Sequence, residues 1–302
     1  MTDEEARETF KAVRFADSGG RPVCPRCGCD AVNEYVSRPI FKCKRCERQF
    51  SLTSGTLFNS RKLSFADILL AIAIFVNGAN GVSALRLGRE LDCSYKTAFV
   101  LAHKLRDAMG SLGADRKLTG VVEIDGVWVG GHLKKANEKA ERKDMRRSNP
   151  KRRSVVVMRE RRAGGRSISI VVKEEADAFA AVLHYVDPSA DIRTDEASHW
   201  TALAMEFADH KAINHSKRYA EPGGVHTNWA ESYNSRLRRA ERGVHHRISG
   251  RYLDAYAGEF AWREDFRRVD NGRQFARVLG AAAVMPVSRR WCGYWQRHLA
   301  AA

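Results

Sequence analysis

Three carboxylates stand where they could do chemistry. Asp125 lies inside the apolar stretch V-V-E-I-D-G-V-W-V, Asp195 ends D-I-R-T-D, and Glu231 falls in the helical stretch H-T-N-W-A-E-S-Y-N. A carboxylate within a strand pattern is costly to bury unless it is paired or binds a metal. Three that converge could hold two divalent cations about 4 Å apart, the arrangement used for in-line displacement at phosphorus. A second set is made of thiols. Cys24 and Cys27 form one C-x-x-C and Cys43 and Cys46 another, with 15 residues between the pairs. Two such turns aim four thiolates at one point and complete a tetrahedral Zn2+ site. A disulfide pair is the competing reading, and an intracellular chain disfavours it. Cys29, Cys93 and Cys292 stand outside this pattern.

The elements that must position these residues can be read from periodicity. Ser64 and Asp67 make a capping pair before F-A-D-I-L-L-A-I-A-I-F-V, and Gly78 and Gly81 end that helix. A short helix is expected over 83–91, then a brief turn at Asp92 and Cys93. Ser94 caps a longer helix, Y-K-T-A-F-V-L-A-H-K-L-R-D-A-M. Two helices joined this way match a helix-turn-helix, whose second helix would carry Tyr95, Lys96, His103 and Lys104 toward DNA. Strand patterns follow at 121–129, 154–159 and 167–172. Then come a helix over 174–186, a strand over 191–194, a helix over 197–207, a strand over 211–214 and a last helix over 227–240. The order β-β-β-α-β-α-β-α is that of the ribonuclease H fold. It places Asp125 on the first strand, Asp195 after the fourth and Glu231 on the final helix.

On that helix Trp229, Tyr233, Leu237 and Ala240 share one face, expected against the sheet. Asn228, Glu231, Ser235 and Arg238 share another, expected to line the site. Arg238 could hold a phosphate there. Between the first two strands, residues 132–153 carry ten Lys or Arg against three acids. Such a run is usually a solvated loop, and here it leaves a strand beside the acids.

Charge points the same way. Lys and Arg number 52 and Asp and Glu 36, a formal net charge of +16, which favours polyanions. No apolar run approaches the ~20 residues that span a bilayer. The acidic, polar start M-T-D-E-E-A-R-E-T-F does not read as a secretory signal, so an intracellular protein is expected. The chain divides into a tail (1–18), a zinc ribbon (19–60), a helix-turn-helix-like unit (61–112), a ribonuclease H-like domain (118–275) and a C-terminal tail (276–302). The fold class is multidomain α/β.

The runs D-G-V-W-V-G-G, T-D-E-A-S-H-W and V-H-T-N-W-A-E-S-Y-N-S-R-L-R-R, followed by G-V-H-H-R-I-S-G-R-Y-L-D-A-Y-A-G-E-F-A-W-R, resemble the IS1595-type (ISXO2-like) bacterial insertion-sequence transposases. The resemblance covers nearly the whole chain, because family members similarly carry an N-terminal zinc ribbon. It implies a DDE-type transposase that cuts and joins the ends of its own element. Implied with it are Mg2+ or Mn2+ at Asp125, Asp195 and Glu231, with Asn228 an alternative third ligand. Arg238 and His226 would then steady the scissile phosphate. Double-stranded DNA is the expected partner, both terminal inverted repeats and target. A homodimer or higher assembly on DNA is expected, in the bacterial cytoplasm. The family often has D-E where this chain has Asp125–Gly126, usually has Lys where it has Arg238, and differs from W-R-E-D-F-R-R-V-D-N near the end. The alternative is a zinc-ribbon and helix-turn-helix DNA-binding regulator derived from an inactive transposase; a structure-specific nuclease on the same fold is a third possibility.

Overall fold

Local signals decide most of the element ends. In the computed structural model, which describes residues 1–35, 37–112, 116–131, 138, 140, 149–214 and 224–299, the chain forms two units. One is Met1–Ser111 with Val269–Ala302, the other Leu112–Arg268. The basic run 132–153 lies largely outside the described residues. No helix among the described residues is long and apolar enough to cross a membrane.

The first unit begins with α1 (Asp3–Arg14), where a tail was expected. Thr2 and Glu5 cap its start reciprocally, and it buries Ala6 and Phe10 completely. Those two apolar side chains on one face decide the matter; the surrounding charges only cover the exposed face. Phe10 packs on Phe58 and Phe65, and Arg7 and Lys11 bridge Glu34. Next come three short antiparallel strands, β1 (Val32–Glu34), β2 (Ile40–Cys43) and β3 (Gln49–Ser51). The helical unit is α2 (Phe65–Asn77), α3 (Ala84–Glu90) and α4 (Tyr95–Ser111). Ser64 and Asp67 form the expected capping box, and Ser83 caps α3.

The face of α4 differs from the expectation in two places. Tyr95 and Lys96 are exposed, but His103 is fully buried and stacks on Trp291 with ring centroids 4.1 Å apart. Lys104 is partly buried, and desolvation lowers its pKa. Both are covered because the described part of the segment expected as a tail (276–302), residues 276–299, folds back within this unit. The helix α8, which follows α7 of the second unit, spans Asn271–Val284 and packs on α1, α2 and α4. After it, Trp291 and the short α9 (Tyr294–Leu299) lie against α4, where the Trp295 indole N–H donates to the Lys96 carbonyl (3.2 Å). Burial of large aromatics fixes the segment there.

The second unit is a five-stranded mixed sheet. Its strands are β4 (Val121–Gly130), β5 (Arg152–Glu160), β6 (Ser167–Val172), β7 (Asp191–Asp195) and β8 (Asp209–Ile213), in spatial order β6-β5-β4-β7-β8. The first three are antiparallel, and β7 and β8 add parallel to β4. Strand alternation divides the core. Val122, Ile124, Val156 and Met158 face one side, with Val182 of α5 (Phe179–Tyr185), Trp200 and Leu203. The segment expected as a helix over 197–207 is a run of 3-10 turns, Ser198–Met205. Val127, Val129, Val155 and Val157 face the other side, against α6 (Asn228–Gly243) and α7 (Leu253–Asp265).

In the charged stretch after Trp262, Arg263 and Glu264 are buried, whereas Arg267, Arg268 and Asp270 are exposed. Glu264, with no exposed side-chain area, pairs with Arg159 (3.6 Å), Arg236 (3.0 Å) and Arg267 (2.8 Å). Asp265 pairs with Arg159 (2.9 Å) and accepts from the Ser167 N–H (3.0 Å). These bonds tie α7 to β5, β6 and α6.

Candidate active site and zinc site

The four cysteine sulfurs converge. Cys24 Sγ lies 3.6 Å from Cys46 Sγ, Cys27 Sγ lies 3.6 Å from Cys43 Sγ, and all four fall within 4.8 Å of one another. Sulfurs at the Zn–S distance of ~2.3 Å on a tetrahedron would be about 3.8 Å apart. The donor set therefore fits Zn2+. Gly28 turns the first knuckle at φ 69° and its N–H donates to the Cys24 carbonyl (2.9 Å). The backbone N–H of Cys46, with that of Arg45, pulls the Cys43 thiol down to about 6, the direction a thiolate ligand needs. Cys29 is turned to the Ala31 carbonyl, outside the set.

In the second unit, β4 and β7 present Asp125 and Asp195 side by side. Their parallel register pairs Val121 with Asp191 and Glu123 with Arg193, so each aspartate lies two residues beyond the last pair. The Asp125 carboxylate accepts from the Gly126 N–H at Oδ1 (2.8 Å) and from the Asn234 amide at Oδ2 (2.8 Å). Burial, and then the charge of Asp195, push its pKa up to about 7. Asp195 accepts from the Ala197 N–H (3.2 Å).

Two groups at this site carry no pattern in the sequence that points to it. Glu175, just after β6, lays its carboxylate over Gly126. A Cβ at residue 126 would stand 2.4 Å from that carboxyl carbon, so a side chain there would displace the Glu175 carboxylate. Ser154 donates to Glu175 (3.2 Å), and His199 Nε2 lies 3.7 Å away. Burial first and Asp195 also raise the Glu175 pKa. Asn234 is the other. It is only 2 % exposed, and its Oδ1 has no hydrogen-bond partner among the described residues. Helical spacing could have placed it beside Glu231, three residues earlier, but gave no reason to expect it to be buried.

The helix α6 runs along β4. Its first N–H groups, those of Trp229 and Ala230, donate to Glu123 Oε2 (2.7 and 3.0 Å). Arg161 holds the other oxygen of Glu123 (2.6 Å). Glu123 shares the α6-facing side of β4 with Asp125, and its role there is to cap the helix. His226 joins this group, with Nδ1 3.3 Å from Glu123 Oε1. It is engaged with Glu123, two residues from Asp125 along β4. Asn228 is exposed on the first turn, Glu231 half-buried with Thr227 Oγ1 3.3 Å from its Oε1, and Arg238 exposed. Trp229, expected against the sheet, lies half-buried beneath the Arg159 and Arg267 guanidinium groups (5.2 and 6.0 Å). Asn234 takes its place on the buried face, with Ala230, Tyr233, Leu237 and Ala240. Among the described residues, no three acids bring ligand atoms within 4.8 Å of one another.

The desolvation of Asp125, with the Asp195 charge beside it, has a measurable consequence. The folded-state pKa of Asp125 is raised from 3.8 to about 7, so its charged form is penalised in the fold. That penalty is absent below pH ~4, grows as pH rises and is complete above pH ~7, where it amounts to about 4 kcal/mol. Asp125→Asn is therefore expected to raise the melting temperature at pH 8, with no divalent cation added, and to change it far less at pH 4. Equal effects at both pH values would contradict the buried pair.

Sequence comparison agrees with the two-part site. The ISXO2-like transposase domain matches residues 117–265, and the transposase zinc-ribbon domain matches residues 1–49. Over 298 residues the chain is 26 % identical to an uncharacterized protein in transposable element ISH50 of Halobacterium salinarum. The match covers 93 % of this chain and 97 % of that protein.

Proposed function

Because the chain belongs to the ISXO2-like transposases, with their zinc ribbon, we propose that it cuts and joins the ends of its own insertion sequence by DDE-type, metal-dependent phosphoryl transfer. The observation that carries this reading is the placement of Asp125, midway along β4, beside Asp195, the last residue of the adjacent parallel strand β7, with α6 laid alongside. Two partly buried acids of like charge gain most from a divalent cation. Glu231, on the exposed side of Asn234, is the third ligand; Asn228 stands a turn earlier and further out. Bound Mg2+ or Mn2+ would supply Lewis-acid stabilisation of the attacking and leaving oxygens.

The residues of this chain then bind and orient. Asp125, restrained by Gly126 and Asn234, and Asp195, restrained by Ala197, would hold the cations. Arg238 is exposed two turns beyond Glu231 and takes a DNA phosphate. Glu123 and Arg161 hold the start of α6, which fixes where Glu231 stands. In the first unit, the zinc ribbon and the exposed start of α4 (Tyr95 and Lys96) grip the element end. The strand-transfer complex is a homodimer or larger.

The test uses the full chain and labelled duplexes carrying the terminal inverted repeats. Cleavage at the element end should require Mg2+ or Mn2+. Binding should be tighter to inverted-repeat DNA than to random duplex and should fall steeply with salt, because each neutralised phosphate releases counterions. Specific binding without cleavage in either metal would replace this reading with the DNA-binding regulator. Cleavage without joining to a target would make the protein a nuclease.

A further inference from the structure

One polar group in the second unit is buried and half-used. Asn234 is 2 % exposed on the sheet-facing side of α6, among Ala230, Tyr233, Leu237 and Ala240. Its amide nitrogen donates to Asp125 Oδ2 at 2.8 Å, while its amide oxygen meets no donor among the described residues. Leaving a buried carbonyl oxygen without a partner costs stability, so a position used only for packing would favour an apolar side chain. This position keeps an amide, and the orphan oxygen belongs to the same carboxamide that grips Asp125.

We propose that Asn234 is a positioning residue of the cation site, its N–H fixing the Asp125 carboxylate and its free oxygen placed to accept a hydrogen bond from a water that a bound cation would hold. The inference rests on the metal-dependent reading above. Mg2+ binds through one or two carboxylates and keeps several waters, and those waters need acceptors. Asp125 already takes the Gly126 N–H at Oδ1. With Asn234 on Oδ2, each oxygen of Asp125 has one fixed donor, and its rotation about the Cβ–Cγ bond is set. Groups that orient a ligand in this way are commonly worth 10–100-fold in metal affinity. Position 234 also explains why Asn228 is not needed in this role: it sits on the exposed first turn of the same helix.

The experiment measures Mn2+ binding to the full-length protein by electron paramagnetic resonance, alongside zinc content and the melting temperature. Asn234→Leu keeps the branched shape and removes both polar groups. Asn234→Ser is smaller, cannot overpack, and is too short to reach Asp125. Both are expected to weaken Mn2+ binding 10–100-fold, with melting temperature, zinc content and DNA affinity little changed. Cleavage at saturating DNA should fall and should recover in part when Mn2+ is raised. Mn2+ affinity within twofold of wild type in either folded variant would overturn the proposal and leave Asn234 a packing residue. Asp125→Ala separates the two levels of the argument. If it binds Mn2+ as wild type does, the metal-dependent reading itself fails. If it loses Mn2+ while Asn234→Leu does not, only the role of Asn234 fails.

Discussion

Asp125→Ala and Asp195→Ala are each expected to abolish Mg2+-dependent cleavage at the element end, by at least about 10³-fold, while leaving DNA binding nearly intact. Each removes a carboxylate that would hold a cation. Losing a metal from a two-metal site removes several kcal/mol of transition-state stabilisation, and 1.36 kcal/mol is tenfold in rate. Glu231→Ala should behave alike. Total loss in Asn228→Ala, with Glu231→Ala still active, would move the third ligand to Asn228. The controls are unequal. Glu196 is exposed on the loop after β7, so Glu196→Ala should cleave normally. Glu123 is wholly buried, caps α6 and pairs with Arg161. Removing it strands a guanidinium and two helix N–H groups, a loss of about 3–5 kcal/mol in stability. A fall in activity for Glu123→Ala therefore has to be read beside its melting curve. Full cleavage by Asp125→Ala would end the DDE mechanism for this chain.

The second large effect belongs to the zinc ribbon. One Zn2+ per chain is expected to co-purify, and Cys43→Ser should lose it. The ribbon has only three strands of three or four residues, β1 to β3, far too little apolar area to fold alone. Structural Zn2+ in such modules contributes an apparent free energy on the order of 10 kcal/mol. Cys43→Ser should accordingly expose 19–60 to limited proteolysis and abolish selective binding of inverted-repeat DNA. Cys29→Ser, outside the set of four sulfurs, should keep the metal. Elemental analysis decides both, and unchanged zinc in Cys43→Ser would reject the site.

The sequence by itself determined whatever depends on local pattern. The C-x-x-C pairs needed no tertiary information, because each turn aims its own two thiolates. The capping pair Ser64–Asp67, the glycine stop at Gly78 and the Ser94 start fixed the helical unit for the same reason. Alternation along 121–129, with the order of strands and helices, was enough to set Asp125 beside Asp195. What only the tertiary structure decided involves groups distant in the chain. Glu175 reaches the site because Gly126 leaves space for its carboxylate, and nothing near residue 175 signals that. Asn234 differs from the exposed Asn228 only in which side of α6 meets β4. Glu123 and Asp125 share a strand face, and a helix terminus makes the first a cap while a neighbouring strand makes the second half of an acidic pair. The ends of the chain follow the same rule. Residues 1–18, rich in charge, and 276–302 look like tails, but a few apolar side chains, Phe10 and Trp291 among them, find partners in α2 and α4. Burial is a property of the partner surface, and one-dimensional spacing does not contain it.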